Sequence, residues 1–317
     1  MHAFFHAVRV FFDHLAAVGW ESLGIALACH FARLLLRVVA WRNILRAAYP
    51  AASVPRLGVL GAYLAAVGVN SIVPARGGDA LRAYLIRHRI EGSSYPTIGA
   101  TLIVETLFDS VIAGALLVWA IASGVLPSIH ALPHLPSVDW SWPLRHPGVS
   151  AVVGGVWLAV LVLLAVVGAR RVRAFRERVR QGFTVLADRP RFAREVLFWQ
   201  AASWGLRLAS VYWFLRAFGL PATVHNALLV LVVQSLSTLF PFTPGGAGTQ
   251  QGLLVYVFGK TSKLSRTAVL SFSVGMQFAV TALNVVLGFA AILLMLRTLR
   301  WRDVVVGDEE KAYARRA

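Results

Sequence analysis

Residues 70–85 read NSIVPARGGDALRAYL and interrupt a hydrophobic run that begins near residue 57. A proline, two glycines, two arginines and an aspartate stand where apolar residues would continue the run. Pro74 has no amide donor and ends a helix, and Gly77 and Gly78 release the backbone from side-chain constraint. A helix that stops within a bilayer must turn its freed backbone groups toward protein or a wet cavity. The amides at the start of the following helix favour an anion. Arg76 and Arg82 add charge and a forked donor geometry suited to phosphate.

The surrounding chain has 317 residues, 58% of them hydrophobic and 14% charged, with mean hydropathy +0.68. Soluble domains are nearer half apolar and a quarter charged. Apolar segments fall at about 20–40, 57–73, 97–122, 149–168, 196–218, 223–241 and 265–297, and helices satisfy their own backbone in lipid. The reading is an all-α polytopic membrane protein. The segment 57–73 is short for a crossing, and 79–90 and 249–259 are too short to cross alone.

The net charge of +17 comes from 31 Lys+Arg against 14 Asp+Glu. Basic cytoplasmic loops account for such an excess in a membrane protein, and no aromatic-basic interleaving argues for nucleic acid. The basic loops would also attract anionic lipid headgroups. Cys29 is the single cysteine, which excludes an internal disulfide and a cysteine-based metal site. His130, His134 and His146 lack carboxylate or cysteine partners at ligand spacing, so no metal or other cofactor is expected. Arg9 and Asp13 interrupt the N-terminal stretch, which reads as an interfacial helix over 1–19 and not as a signal peptide.

Loop charge orients the chain. Residues 169–195 carry nine arginines against three acids and read as cytoplasmic, whereas 123–148, with five prolines and one arginine, reads as the outer side. Arg37, Arg42, Arg46 and Arg56, the run 82–89 and the C-terminal tail join the cytoplasmic side if 57–90 and 223–260 each dip in and return. The competing topology makes 57–73 and 223–241 full spans and leaves a basic cluster outside at each end.

The break recurs at 237–253, STLFPFTPGGAGTQQGL. Asn70 and Ser71 precede Pro74 as Ser237 and Thr238 precede Pro241, and Gly77-Gly78 is matched by Gly245-Gly246, after Pro244 and before Gly248. Each break leads into a long helix with a polar face: Thr101, Glu105 and Asp109 in one, Gln277, Thr281 and Asn284 in the other. The expected plan is one membrane domain over 1–317. Its parts are a first repeat at 20–122, a connecting span at 149–168, an inverted second repeat at 196–297 and a cytoplasmic tail at 298–317, with two broken or re-entrant elements.

Acids deep in a span cost about 2.5–3.5 kcal/mol each, so Glu105 and Asp109 require a reason. Two readings stand: an ion pair with Arg76, Arg82 or Arg207, or a proton or headgroup-amine site lining a pathway. Arg33 and Arg207 raise the same question, and Arg33 has the further option of snorkelling to the interface. The run TPGGAGTQ lacks the Lys-Ser/Thr ending of a phosphate loop, and no nucleophile set is present. A transporter is therefore favoured over an enzyme.

Taken together, NSIVPARGGDALRAYL, VETLFD at 104–109 and FPFTPGGAGTQQGLL at 240–254 resemble the flippase-like family. This is the membrane domain of lysylphosphatidylglycerol synthases and their stand-alone UPF0104 relatives. The resemblance extends from Trp41-Arg42 to about residue 297. It implies translocation of a polar lipid between leaflets, with Pro74, Arg76, Gly78 and Arg82 matching the first motif, Glu105 and Asp109 the acidic pair, and Pro244, Gly245, Gly246 and Gly248 the second motif. Asp79 stands where the family usually has Glu, and so does Gln251, where a charge is lost. With Ala317 as the last residue, no aminoacyltransferase domain is expected.

The expected partners are the bilayer and an anionic or aminoacylated phospholipid or other polar lipid. Arg76 and Arg82 would hold the phosphate, with Glu105 and Asp109 balancing them. Asp79 belongs to the same candidate site, and Asn70, Ser237, Gln251, Gln277 and Asn284 would line the route. The alternatives are a non-transporting scaffold for a separate lipid-modifying enzyme, and an intramembrane enzyme acting on lipid headgroups.

Overall fold

A computed structural model describes residues 18–73, 77–122, 172–237, 248–261 and 264–298. The expected interfacial helix, the connecting span at 149–168 and Pro74, Arg76, Pro241, Pro244, Gly245 and Gly246 lie outside the described residues. Within them the regular structure is helical, with no strand. The order is α1 (Trp20–Ala48), α2 (Arg56–Asn70), α3 (Gly77–Arg87), α4 (Tyr95–Ala122), α5 (Val172–Gly182), α6 (Thr184–Ala187), α7 (Arg189–Phe192), α8 (Phe198–Ala217), α9 (Val224–Ser237), α10 (Thr249–Thr261) and α11 (Arg266–Thr298). A five-residue π-type stretch, Ala193–Leu197, leads into α8.

Local chemistry sets the boundaries. Pro55 precedes α2 and Pro96 sits in the first turn of α4, where a missing amide costs nothing. At the end of α8, Gly219 adopts φ +67, its amide donates to Arg216 and that of Leu220 donates to Leu215. This αL cap turns the chain sharply into α9. The α10 start is held by the Gln251 side chain, whose Oε1 accepts from the Gly248 amide at 2.6 Å. That is the reaching-back half of a capping box.

α1, α4 and the Arg266–Met295 part of α11 are long and apolar enough to cross a membrane. α2 and α9, at 15 and 14 residues, are shorter than the roughly 20 residues a crossing needs. At one end of the bundle, Tyr49 Oη accepts from the Ser94 amide and Gln181 donates to the Ala48 carbonyl. There a Cβ placed on Gly58 would lie 3.6 Å from Arg89. The α2–α3 hairpin therefore starts and finishes at that end. At the other end, the Gly19 amide donates to Ala217, Trp119 meets His225 edge-on at 5.5 Å and Phe218 meets Phe272 at 6.0 Å. The α9–α10 hairpin starts and finishes there.

Each hairpin has its own apolar core. Trp41, Leu45, Val59, Ile86 and Ile98 pack around the first, and Phe214, Leu229, Leu254, Phe258 and Phe272 around the second. The hairpins exchange partners: α2 packs on α11 and α9 on α4, while α1 packs along α8. The α2–α11 crossing is backbone-close, because a Cβ on Gly68 would sit 2.7 Å from Gly288 Cα and 2.9 Å from the Asn284 carbonyl oxygen. Exposed Ile103, Leu107, Val111 and Val118 on α4, and Phe278, Val286 and Phe289 on α11, form outward apolar faces suited to lipid.

Candidate functional site

Between the two apolar cores lies a layer of charge. Arg33 and Arg37 fall near the middle of α1, Asp109 near the middle of α4 and Arg207 near the middle of α8. At 1.5 Å per residue, Asp109 stands about 21 Å along α4.

Arg37 is the hub of this layer. Its Nη1 and Nη2 donate to the two oxygens of Asp109 at 3.0 and 2.6 Å. Its Nε and Nη2 both reach Glu105 Oε1, at 3.1 and 3.0 Å. Arg82 Nη2 donates to the other Glu105 oxygen at 2.7 Å, and Tyr63 Oη donates to Oε1 at 3.3 Å. Trp204 Nε1 adds a bond to Asp109 Oδ1 at 2.9 Å. Glu105 is 4% exposed and Arg82 5%, so these charges are desolvated and depend on one another. The Arg82 guanidinium is also sandwiched, with Cζ 3.6 Å from the Trp41 ring centre and 4.3 Å from that of Tyr63.

Asn70 ties the first break together. Its Oδ1 accepts from the Gly78 amide at 2.8 Å and its Nδ2 donates to Asp79 at 3.3 Å. Gly78 is obligatory, because a Cβ there would run into the Ala66 carbonyl. Asn284 makes a second link: its Oδ1 accepts from His30 Nε2 at 3.0 Å and its Nδ2 donates to Ser71 at 3.1 Å.

Two cavities meet at the Arg37–Asp109 pair. One, of about 190 Å³, is lined by Asn70, Asp79, Arg82, Glu105, Arg37 and Asp109 among others, so among the described residues three carboxylates face two arginines. The other, of about 550 Å³, holds Arg33, Arg37 and Arg207 against Asp109, the single carboxylate among its described lining residues. Their charge balances are opposite in sign. A smaller space of about 90 Å³ beside the second is lined by His30, Arg33, Arg207 and Gln234.

The structure thus gathers Asn70, Asp79, Arg82, Glu105 and Asp109 around one chamber. Ser237 instead returns its hydroxyl to Val233 in its own helix, Gln251 is spent on the α10 cap, and Gln277 lines none of these three cavities. Of the arginines expected to pair with the acids, Arg82 does so. Arg207 donates to Gln234 at 3.0 Å and stacks on Trp204. Arg37 corrects the expectation of a loop-side cluster: it is 9% exposed and ion-paired inside the bundle. The i, i+4 spacing of Arg33 and Arg37, matching that of Glu105 and Asp109, was the available signal. Nothing comparable pointed to Tyr63 or Trp204.

Long apolar helices enclosing a shared layer of ion-paired charge define a multi-pass membrane protein with a polar interior. The chain belongs to the family described as lysylphosphatidylglycerol synthase TM region, whose model matches residues 4–288. It is similar to a UPF0104 membrane protein of Methanothermobacter thermautotrophicus, 25% identical over 256 residues, which cover 71% of this chain and 70% of that protein. No solved structure matches the chain.

Proposed function

We propose that the protein moves a polar phospholipid or lipid-linked intermediate between bilayer leaflets. The observation that carries this reading is the part-buried Arg37–Asp109 pair with, among the described residues, a chamber of opposite charge balance on either side. A structural ion pair alone needs no cavities, whereas a headgroup in transit needs a desolvated polar stop near mid-depth. The 550 Å³ chamber lies within the size range of ligand pockets.

In this reading residues 20–122 and 196–297 are inverted repeats, each containing a re-entrant hairpin. The matched helix order and the entry of α2–α3 and α9–α10 from opposite ends support it. The basic helix α5 and the neighbouring end of the bundle face the cytoplasm of a cell membrane. Asp79 and Asp109 offer sites for a headgroup amine. Glu105 holds Arg37 and Arg82 in place, and Asn70 fixes the hairpin tip.

Purified protein in vesicles tests this directly, with headgroup-labelled phosphatidylglycerol and aminoacylated phosphatidylglycerol quenched from outside. Faster loss of the protected fraction than in protein-free vesicles is expected for at least one lipid. Unchanged protection with folded protein would favour a scaffold. Altered headgroups in the recovered lipid would favour an enzyme.

A further inference from the structure

Arg33 and Arg207 are the charges that the ion-pair network leaves over. Among the described residues Arg33 makes no hydrogen bond or ion pair, and Arg207 has only the neutral Gln234 and the Trp204 ring. Both line the 550 Å³ cavity and the small space beside it, so they border the same opening from α1 and α8. Asp109, the only carboxylate among the described residues lining either space, is already doubly bonded to Arg37. Two uncompensated guanidinium groups near the middle of membrane-length helices repel each other and bear a desolvation cost.

We infer that Arg33 and Arg207 form an anion site that takes a phosphate group in the large cavity. Guanidinium forks match phosphate oxygens in pairs. Ser110 and Ser235 line the same cavity, with their hydroxyls donating to Thr106 and Leu231 in their own helices. Leu117, Val232 and Leu236 add an apolar part to that wall, which suits a phosphate carried on a lipid. Arg82 is a weaker candidate, because Glu105, Trp41 and Tyr63 already occupy its guanidinium. The site deepens the translocation reading by assigning a phosphate-bearing substrate, yet binding can be measured without transport.

The test is the thermal unfolding midpoint of the purified protein in neutral detergent, alone, with inorganic phosphate, and with phosphatidylglycerol or phosphatidylcholine. Wild type should be stabilised by at least one of these, and Arg33→Gln should reduce that shift several-fold. Without anion, Arg33→Gln should unfold at a temperature equal to or above wild type, because it removes repulsion and no bond. Arg33→Lys, which keeps the charge, should retain part of the shift. A response to inorganic phosphate identifies a free-anion site, and a response confined to phospholipid identifies a headgroup. An undiminished shift in Arg33→Gln, or no shift with any probe in wild type, overturns the assignment. Phosphate binding without lipid movement would leave the site standing and remove the translocation reading; lipid movement unaffected by Arg33→Gln would do the reverse.

Discussion

The two hairpins share a plan and differ in chemistry. Both pair a helix of 15 or 14 residues with a second short helix, at opposite ends of the bundle. The first carries Asp79 and Arg82 on α3 and Tyr63 on α2 into the charge layer. The second contributes Gln234 and Ser235 on α9, while α10 buries Leu254, Val257 and Phe258 in an apolar core. The ionisable groups that meet the charge layer are concentrated in the first pair of helices. The amide side chains show the same division. Asn70 joins the first hairpin tip to Asp79 beside the cavity, whereas Gln251 closes a helix start.

Substitutions at matched positions would break or sharpen this contrast. The largest effect is expected from Glu105→Ala, which leaves Arg37 and Arg82 buried without their shared carboxylate. Breaking a buried pair costs about 3–5 kcal/mol, so little folded protein should be recovered by size-exclusion chromatography in detergent. Full recovery with an unchanged melting temperature would show that the network is dispensable.

Next is Gly68→Val, which forces side-chain atoms between α2 and α11 where backbones touch. Overpacking of this kind costs about 1–3 kcal/mol, and thermal unfolding should fall accordingly. A neutral result would mean that the first hairpin is not clamped by α11. In the second hairpin, Gln251→Ala should lose about 1 kcal/mol of capping. The smallest effect belongs to Gln251→Glu, because a glutamate can accept from the same amide and stabilises a helix start. Stability should hold within about 0.5 kcal/mol, and lipid movement should not change. A large gain in movement would place residue 251 on the route after all.

Within the described residues the helical segments and the acidic pair were legible in the sequence, because each rests on local composition or helical spacing. Partner choice was harder to read. Arg37 stands in a series with Arg42, Arg46 and Arg56 that loop-charge reasoning assigns to one aqueous side. Only packing against α4 and α8 shows that Arg37 belongs to the interior while Arg46 and Arg56 are exposed. The shared Gly77-Gly78 and Gly245-Gly246 pattern suggested an internal repeat. Which hairpin meets charge depends on the neighbouring helix faces, and a linear pattern does not contain that information. Asn284 was legible as polar, yet its bonds to His30 and Ser71 span 254 and 213 positions of sequence.

The most direct measurement is the rate of phosphatidylglycerol movement in vesicles containing Asp109→Asn beside wild type. This variant keeps an oxygen for Trp204 and leaves Arg37 bonded to Glu105, so folding should survive while the pair between the chambers is broken. Movement slowed by about tenfold, equivalent to roughly 1.4 kcal/mol on the barrier, with an intact elution profile, is the expected result. Movement at the wild-type rate would contradict passage of the headgroup by way of Arg37 and Asp109.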